Sequence, residues 1–405
     1  MHMKKLMFAV MGLAAVAGGS ARAAGIAVDL HSARGVGMAG AQIGLVDDAA
    51  AIYYNPAGIA QGQGMEVMLG ASPIIPTFKA TPTTGPSAGQ EISGVTNVIP
   101  PPHVYFTYGI SDEWTVGIGV FSPYGLKVEW NSDWIGRTII TEANFQTFDI
   151  NPTVAFKSGP FRIGAGFQLV RSTVELKKDI GPLSGQYVGA DLGAGTWGYG
   201  GNVGVQYEAI EKVLQLGAYY RSAVSLDFTG RAHFTNVPPP YASTFVDQEV
   251  TTKFNLPHTI GFGVAVHATP ELALDADITY FTWQQFQAID IRFQNPSLNT
   301  YEGKFWSHSW NYRIGAEYTL NEHVQLRLGL LYDKTPSGTY TLLPDVPDAD
   351  RLNVAIGGTY RWGAFRIDAG YQYIFFFGQT STNPYFPASY SAGAHVLSLT
   401  LGFRI

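Results

Sequence analysis

The sequence predicts an all-β membrane protein: a fourteen-stranded antiparallel transmembrane β-barrel plugged by a small N-terminal hatch. Three observations predict it. An export leader opens the chain. No later stretch reaches the roughly 18 apolar residues that a spanning helix needs. From Met65 onward, apolar and polar residues alternate with period two, as strands with one greasy face require.

The leader has three parts. Lys4-Lys5 is a basic start, Leu6 to Ala17 an apolar run, and Ala21-Arg22-Ala23 a small-x-small cleavage site. The apolar run is too short for a membrane anchor, so residues 1–23 read as a signal peptide and Ala24 as the first mature residue. Cleavage removes three of the 25 basic residues and none of the 31 acidic ones. The mature chain is therefore more acidic than the formal charge of −6, which disfavours nucleic-acid binding. With no cysteine, an exported chain cannot use disulfides. A closed ring of backbone hydrogen bonds supplies the alternative. Charged residues are only 14% and aromatic residues 13%, as a lipid-facing wall with interfacial aromatic belts demands.

Residues 24–64 differ from the rest. They are rich in Gly and Ala, carry Asp47-Asp48 and Asn55-Pro56-Ala57, and read as a partly helical hatch; residues 65–405 read as the barrel. Fourteen alternating segments follow, near 65–78, 99–110, 114–128, 138–156, 161–177, 196–209, 213–231, 254–267, 270–290, 306–320, 323–335, 351–362, 363–378 and 392–405. The last is the clearest: Leu397, Leu399, Leu401, Phe403 and Ile405 oppose Val396, Ser398, Thr400, Gly402 and Arg404. A soluble β-sandwich would share this period. Long strands, and short turns such as Ser111-Asp112-Glu113 alternating with long loops at 178–195, 232–252 and 337–349, favour the barrel. Fourteen strands enclose a bore that side chains alone cannot fill, so the hatch has room inside.

Within the third segment, Ser122-Pro123-Tyr124-Gly125 interrupts the alternation. Proline cannot donate to a ladder, so the tetrapeptide marks an edge, a bulge or a break. Arg171 stands on the fifth strand and by itself reads as a lumen-facing arginine paired with an acid such as Glu175. Other constellations carry little. Gly35-x-Gly37-x-x-Gly40 lacks the strand–helix context of a dinucleotide site, so no cofactor is expected. Asp345, Asp348 and Asp350 read as a solvated loop rather than a cation site. No HExxH, Cys/His set or GxSxG is present, so no metal centre and no catalytic residue is expected.

The chain resembles the FadL family of outer-membrane long-chain fatty-acid and hydrocarbon transporters. The resemblance rests on Ala24-Gly25-Ile26, Gly35-x-Gly37-x-Ala39-Gly40, Asp47-Asp48-Ala49 and Asn55-Pro56-Ala57, then Asn151-Pro152, Tyr220-Arg221-Ser222, Leu256-Pro257, Trp283-x-x-Phe286, Tyr312-Arg313-Ile314-Gly315 and Pro347-Asp348-Ala349-Asp350-Arg351, in that order. It implies a monomer in the outer membrane of a Gram-negative bacterium. It also implies passive uptake of long-chain fatty acids or related lipids, with aromatic hydrocarbons as the alternative. The partners are then the hydrophobic ligand and outer-membrane lipid, and there is no enzymatic activity. The implied route runs from a greasy groove among the outer loops to an apolar internal pocket, released by a shift of the N-terminus and left sideways at a kinked third strand. On that pattern Ile26 and Arg171 bind ligand, Ser122, Pro123 and Gly125 form the lateral kink, and Asn55, Pro56 and Ala57 are the hatch motif. A second family cation shortly before Tyr312 is unmatched, with Ser309 near its place and His308 beside it, which leaves room for an uncharged ligand. A general porin would instead need an open, charged bore. A lipid-cleaving barrel would need a placed Ser/His pair that Ser307-His308-Ser309 cannot supply, because strand neighbours face opposite sides.

Overall fold

The computed structural model describes residues 25–62 and 64–405; the expected leader over 1–23 lies outside the described residues. Among the described residues, fourteen antiparallel strands close into one ring. The first runs Met65–Ala71 and resumes as Ile74–Pro82, the second is Pro102–Gly109, and the third is Trp114–Phe121 resuming as Gly125–Glu129. The fourth to sixth are Glu142–Ser158, Phe161–Leu183 and Gln186–Ile210. The seventh joins Leu214–Arg221 to Val224–Thr235, the eighth Gln248–Leu256 to Thr259–His267, and the ninth Leu272–Phe281 to Ala288–Phe293. Ser309–Thr319, Val324–Asp333, Arg351–Trp362, Phe365–Phe376 and Ala388–Arg404 complete the set. The fourteenth strand pairs back onto the first from Glu66↔Arg404 to Ala71↔Leu399 and again from Ile74↔Val396 to Pro82↔Ala388, so neither is an edge.

The alternation decides which face meets lipid. Leu397, Leu399 and Leu401 are 51%, 53% and 44% exposed, while Ser398 and Thr400 are buried toward the bore. Aromatic pairs such as Phe161–Tyr207 and Phe365–Phe403 mark the short-turn rim, and Tyr280–Trp310 marks the other interface.

One expected loop is not a loop. Residues 178–195 continue the fifth and sixth strands as a hairpin tipped by Ser184-Gly185, because inward Leu176, Ile180, Val188 and Leu192 keep the alternation and pack with Phe234. The expected loops at 232–252 and 337–349 keep their place between strands, though strand structure reaches Thr235 and resumes at Gln248.

Residues 25–62 lie inside the ring. Helix Ala33–Gly37 is capped by Ser32, whose hydroxyl accepts the Gly35 amide at 3.0 Å. Helix Ala51–Tyr54 leads into the 3-10 turn Pro56–Gln61, where proline sits at the first turn and gives up no needed donor. Wall carboxylates hold the connecting backbone: Asp277 accepts the Gln42 and Ile43 amides at 2.7 and 3.0 Å, and Asp275 accepts that of Leu45 at 3.0 Å. A charge network adds to these contacts: Arg34 meets Glu317 at 3.0 Å, Arg327 meets Glu317 at 2.7 Å and Arg366 meets Asp48 at 2.9 Å. The wall is notched for Asn55-Pro56. Gly164 pairs with Gly204 across the fifth and sixth strands, and a Cβ at these sites would come within 2.3 Å of Pro56 and 2.0 Å of the Asn55 side chain.

Candidate ligand passage at the break in the third strand

Below its break the third strand pairs with the second, from Gly109↔Thr115 to Val104↔Val120. Above it, Gly125–Glu129 keeps the fourth strand as partner, from Gly125↔Gln146 to Glu129↔Glu142. The reason is local: Pro123 has no N–H, and the second strand begins only after Pro100-Pro101, which have none either. Thr147 of the fourth strand braces the bend. Its carbonyl accepts the Ser122 hydroxyl at 2.6 Å, and its own hydroxyl accepts the Tyr124 amide at 3.0 Å and donates to the Tyr124 carbonyl at 2.7 Å.

The start of the chain fills the missing ladder from inside. The Val28 amide donates to the Pro123 carbonyl at 2.9 Å, the Gly125 amide donates to the Ile26 carbonyl at 3.1 Å, and Ala27 faces Tyr124 as an antiparallel pair. Beside this contact lies a cavity of about 640 Å³. Its lining includes Ile26, Phe145 and Leu331 on the bore side, and Asn144, Gln146 and Phe148 from the opposite face of the fourth strand. The cavity at the break is therefore lined by residues of both faces of the fourth strand.

Deeper in the bore, Tyr124, Phe145, Phe281, Trp283, Phe286 and Trp306 form an apolar cluster around Ile26. Its rings meet edge to face: Trp283–Trp306 at 5.2 Å, Phe286–Trp306 at 4.9 Å and Tyr124–Trp283 at 5.9 Å between centroids. Gly25 is pressed into this box with φ +63°, and a Cβ there would sit 2.4 Å from the Trp306 ring.

Charges tether the same segment. Asp29 is paired with Arg313 and accepts the Tyr53 hydroxyl at 2.5 Å. Burial alone would raise the Asp29 carboxyl, but Arg313 and that hydroxyl outweigh it and hold it below the usual range. His31 is fully buried, and burial pushes its ring down to about 3, so it stays neutral. Arg351 donates to the Gly25 carbonyl at 3.2 Å and pairs with Asp333 at 2.8 Å. Arg221 pairs with Asp149 at 3.1 Å and donates to the Tyr53 carbonyl at 3.2 Å. A second cavity, about 280 Å³, lies among the outer loops and is lined by Ile139, Leu176, Leu192, Phe234, Phe245 and Ile291.

The sequence-derived sites sort as follows. Ile26, Ser122, Pro123 and Gly125 come together at the break. Asn55, Pro56 and Ala57 sit apart, in the wall notch; the Asn55 amide donates to the Ile43 and Val205 carbonyls at 3.0 and 3.1 Å. Arg171 does not line the bore. Its strand neighbours Val170 and Ser172 are buried inward, so Arg171 faces outward, donates to the Thr196 carbonyl at 3.1 Å and lies over the exposed Trp197 ring. Nor is Glu175 its partner, since that acid pairs with Lys177. The acidic loop is not solvated either: Asp345 and Asp348 are buried against Lys304 and Thr335, and Asp350 accepts from the Tyr332 hydroxyl. Burial raises the Asp348 carboxyl to about 6 despite Arg351 nearby. Lys304 is fully buried, and its only local sign in the sequence is Glu302 two residues away.

Comparison with known proteins places this arrangement. Residues 14–404 match the model of a family described as outer membrane protein transport protein (OMPP1/FadL/TodX). A long-chain fatty acid transport protein of Salmonella typhi is 26% identical over 408 residues, covering 92% of each chain. A Pseudomonas aeruginosa FadL homologue superposes with a TM-score of 0.82 at 18% identity, over 94% of this chain and 100% of that one. The P. putida toluene transporter TodX superposes at 0.75 and 18% identity, over 93% and 98%.

Proposed function

The chain belongs to this FadL/TodX family of outer-membrane transport proteins, and from that premise we propose a route for its ligand: in through the outer loops, down to the aromatic box, and out sideways at the third-strand break. As a family member it is an outer-membrane transporter of a Gram-negative bacterium, moving fatty acids or aromatic hydrocarbons, and not an enzyme. The loop cavity offers an apolar first stop. The box around Ile26 is the second. A ligand entering the box competes with Gly25 and Ile26 for the same aromatic surface. Displacing them removes the Val28–Pro123 and Ile26–Gly125 hydrogen bonds, which are the strap across the break. The ligand then leaves through the wall into the membrane, so an oily molecule never has to cross the aqueous periplasmic side of the barrel.

The observation that carries the reading is the cavity lined by both faces of the fourth strand, beside a strap made by the N-terminus. A general porin fits less well, because residues 25–62 occupy the bore and are held there by wall carboxylates. The role of residues 25–62 as a movable hatch, and of Ile26 as the group the ligand displaces, belongs to this proposal.

Gly125→Trp tests the exit. A Cβ at Gly125 meets nothing nearer than 3.7 Å, so the substitution is accommodated at the backbone while the indole fills the passage. In a Gram-negative host lacking its own such transporter, uptake of labelled oleate and toluene should fall by about tenfold or more at equal surface level and unchanged heat-modifiable migration. Undiminished uptake by a folded Gly125→Trp barrel would rule out sideways release.

A further inference from the structure

We infer that the molecule carried is uncharged, a neutral hydrocarbon or alcohol rather than a fatty carboxylate, because the cations bordering the route are already matched by acids of the protein, buried or half-buried. The inference rests on the route proposed above and narrows its substrate class.

Lys304 stands two residues before Trp306 of the aromatic box, and its two acid partners, Glu302 and Asp345, line the loop cavity. Its ammonium is 2.8 and 2.7 Å from the two Asp345 oxygens and is paired with Glu302 as well. Both acids line the loop cavity, together with Lys178, which acts on Glu302, so that site is balanced rather than basic. Arg351 borders the bore cavity and has Asp333 at 2.8 Å, with Asp348 also acting on it. Lys127 borders the same cavity, bonded to Glu142 and 3.6 Å from Glu129. Arg221 and Arg313, beneath, are occupied by Asp149 and Asp29. Arg171, the residue whose position most suggested a carboxylate reader, faces away from the bore.

An entering carboxylate would therefore meet cations that are already compensated. It could bind only by expelling an acid that belongs to the protein, leaving that acid unpaired and, at Asp345, Asp333 or Asp149, buried, which is among the costlier things a fold can do. Protons could relieve this, but the ligand would then bind in its neutral form. The box itself asks for no charge. It offers ring faces and edges, and the Trp283 indole N–H is buried without a hydrogen-bond partner among the described residues. An aromatic face or an alcohol oxygen can accept that N–H.

The test compares 1-decanol, decanoate and toluene on the full barrel in lipid nanodiscs at pH 7.5, read by quenching of tryptophan fluorescence. Decanol and toluene should bind, and decanoate should bind at least about tenfold more weakly than decanol. A second arm frees the ammonium: in Glu302→Gln/Asp345→Asn, or in Glu302→Gln alone if the double variant misfolds, the decanoate-to-decanol affinity ratio should rise by about tenfold. Decanoate binding the unaltered protein as tightly as decanol would overturn the inference while leaving the route standing. Binding of none of the three would overturn both.

Discussion

Removing the Asp29 carboxylate should loosen the strap across the third-strand break without loosening the barrel. In Asp29→Ala, Arg313 loses its ion-pair partner and Tyr53 loses its acceptor. Breaking one side of a buried ion pair costs about 3–5 kcal/mol. The lower end applies here, because the Asp29 side chain is 20% exposed and Arg313 keeps the Thr279 hydroxyl at 2.8 Å. A penalty of about 3 kcal/mol, borne by the segment's docked state alone, raises the undocked population by about a hundredfold. Hydrogen exchange by mass spectrometry reads this directly. Peptides containing Val28 and Gly125 carry the two strap amides, and their exchange should accelerate by about two orders of magnitude. Peptides from the fifth and sixth strands should exchange as before. Unchanged protection of both strap amides would refute the reasoning. So would uniform acceleration around the ring, since that would mean Asp29 holds the barrel rather than the segment.

Two further outcomes follow from the same contacts. The His31 ring, held neutral at about 3, refuses a proton that an undocked segment takes up near 6.5, so docking is fully stable above about pH 6.5 and weakens as pH falls from there toward 3. Strap-amide exchange, corrected for its intrinsic pH dependence, should rise about tenfold between pH 7.5 and 5.5, and His31→Gln should flatten that slope; an identical slope in the variant would assign the effect elsewhere. Asn55→Ala deletes the amide that bridges Ile43 and Val205 and should cost about 2 kcal/mol of local stability, seen as lost protection over residues 43–57 with the barrel's melting temperature unchanged. Full protection of that stretch would show that the Gly164–Gly204 notch holds it by shape alone.

The wall was legible because lipid and bore impose opposite demands on neighbouring residues. The leucines of the last strand and the break at Pro123 both show in the sequence for that reason. Arg171 shows how a positional resemblance can mislead where the alternation would not. Phe161, Ile163, Phe167 and Leu169 share its parity and face outward, so Arg171 faces outward too. The hairpin at 178–195 carried the opposite, inward parity on from Leu176 through Ile180, Val188 and Leu192. What the sequence could not disclose are pairings across long separations. Lys304 finds Asp345 41 positions away, and Arg313 reaches back 284 positions to Asp29. Nothing local marks either, because a loop's charge looks solvated until the fold buries it.

The central claim is that ligand leaves through the third-strand break only when the N-terminus withdraws from it. The chain has no cysteine, so a single engineered pair can lock that contact. Ala27 and Tyr124 face each other across the strap, with the bonds made by their neighbours, the geometry in which a cross-strand disulfide closes with little strain. Uptake should be measured in Ala27→Cys/Tyr124→Cys cells, oxidised and then reduced. The account predicts that oxidation stops uptake and reduction restores it; equal uptake in the locked and unlocked states would contradict it.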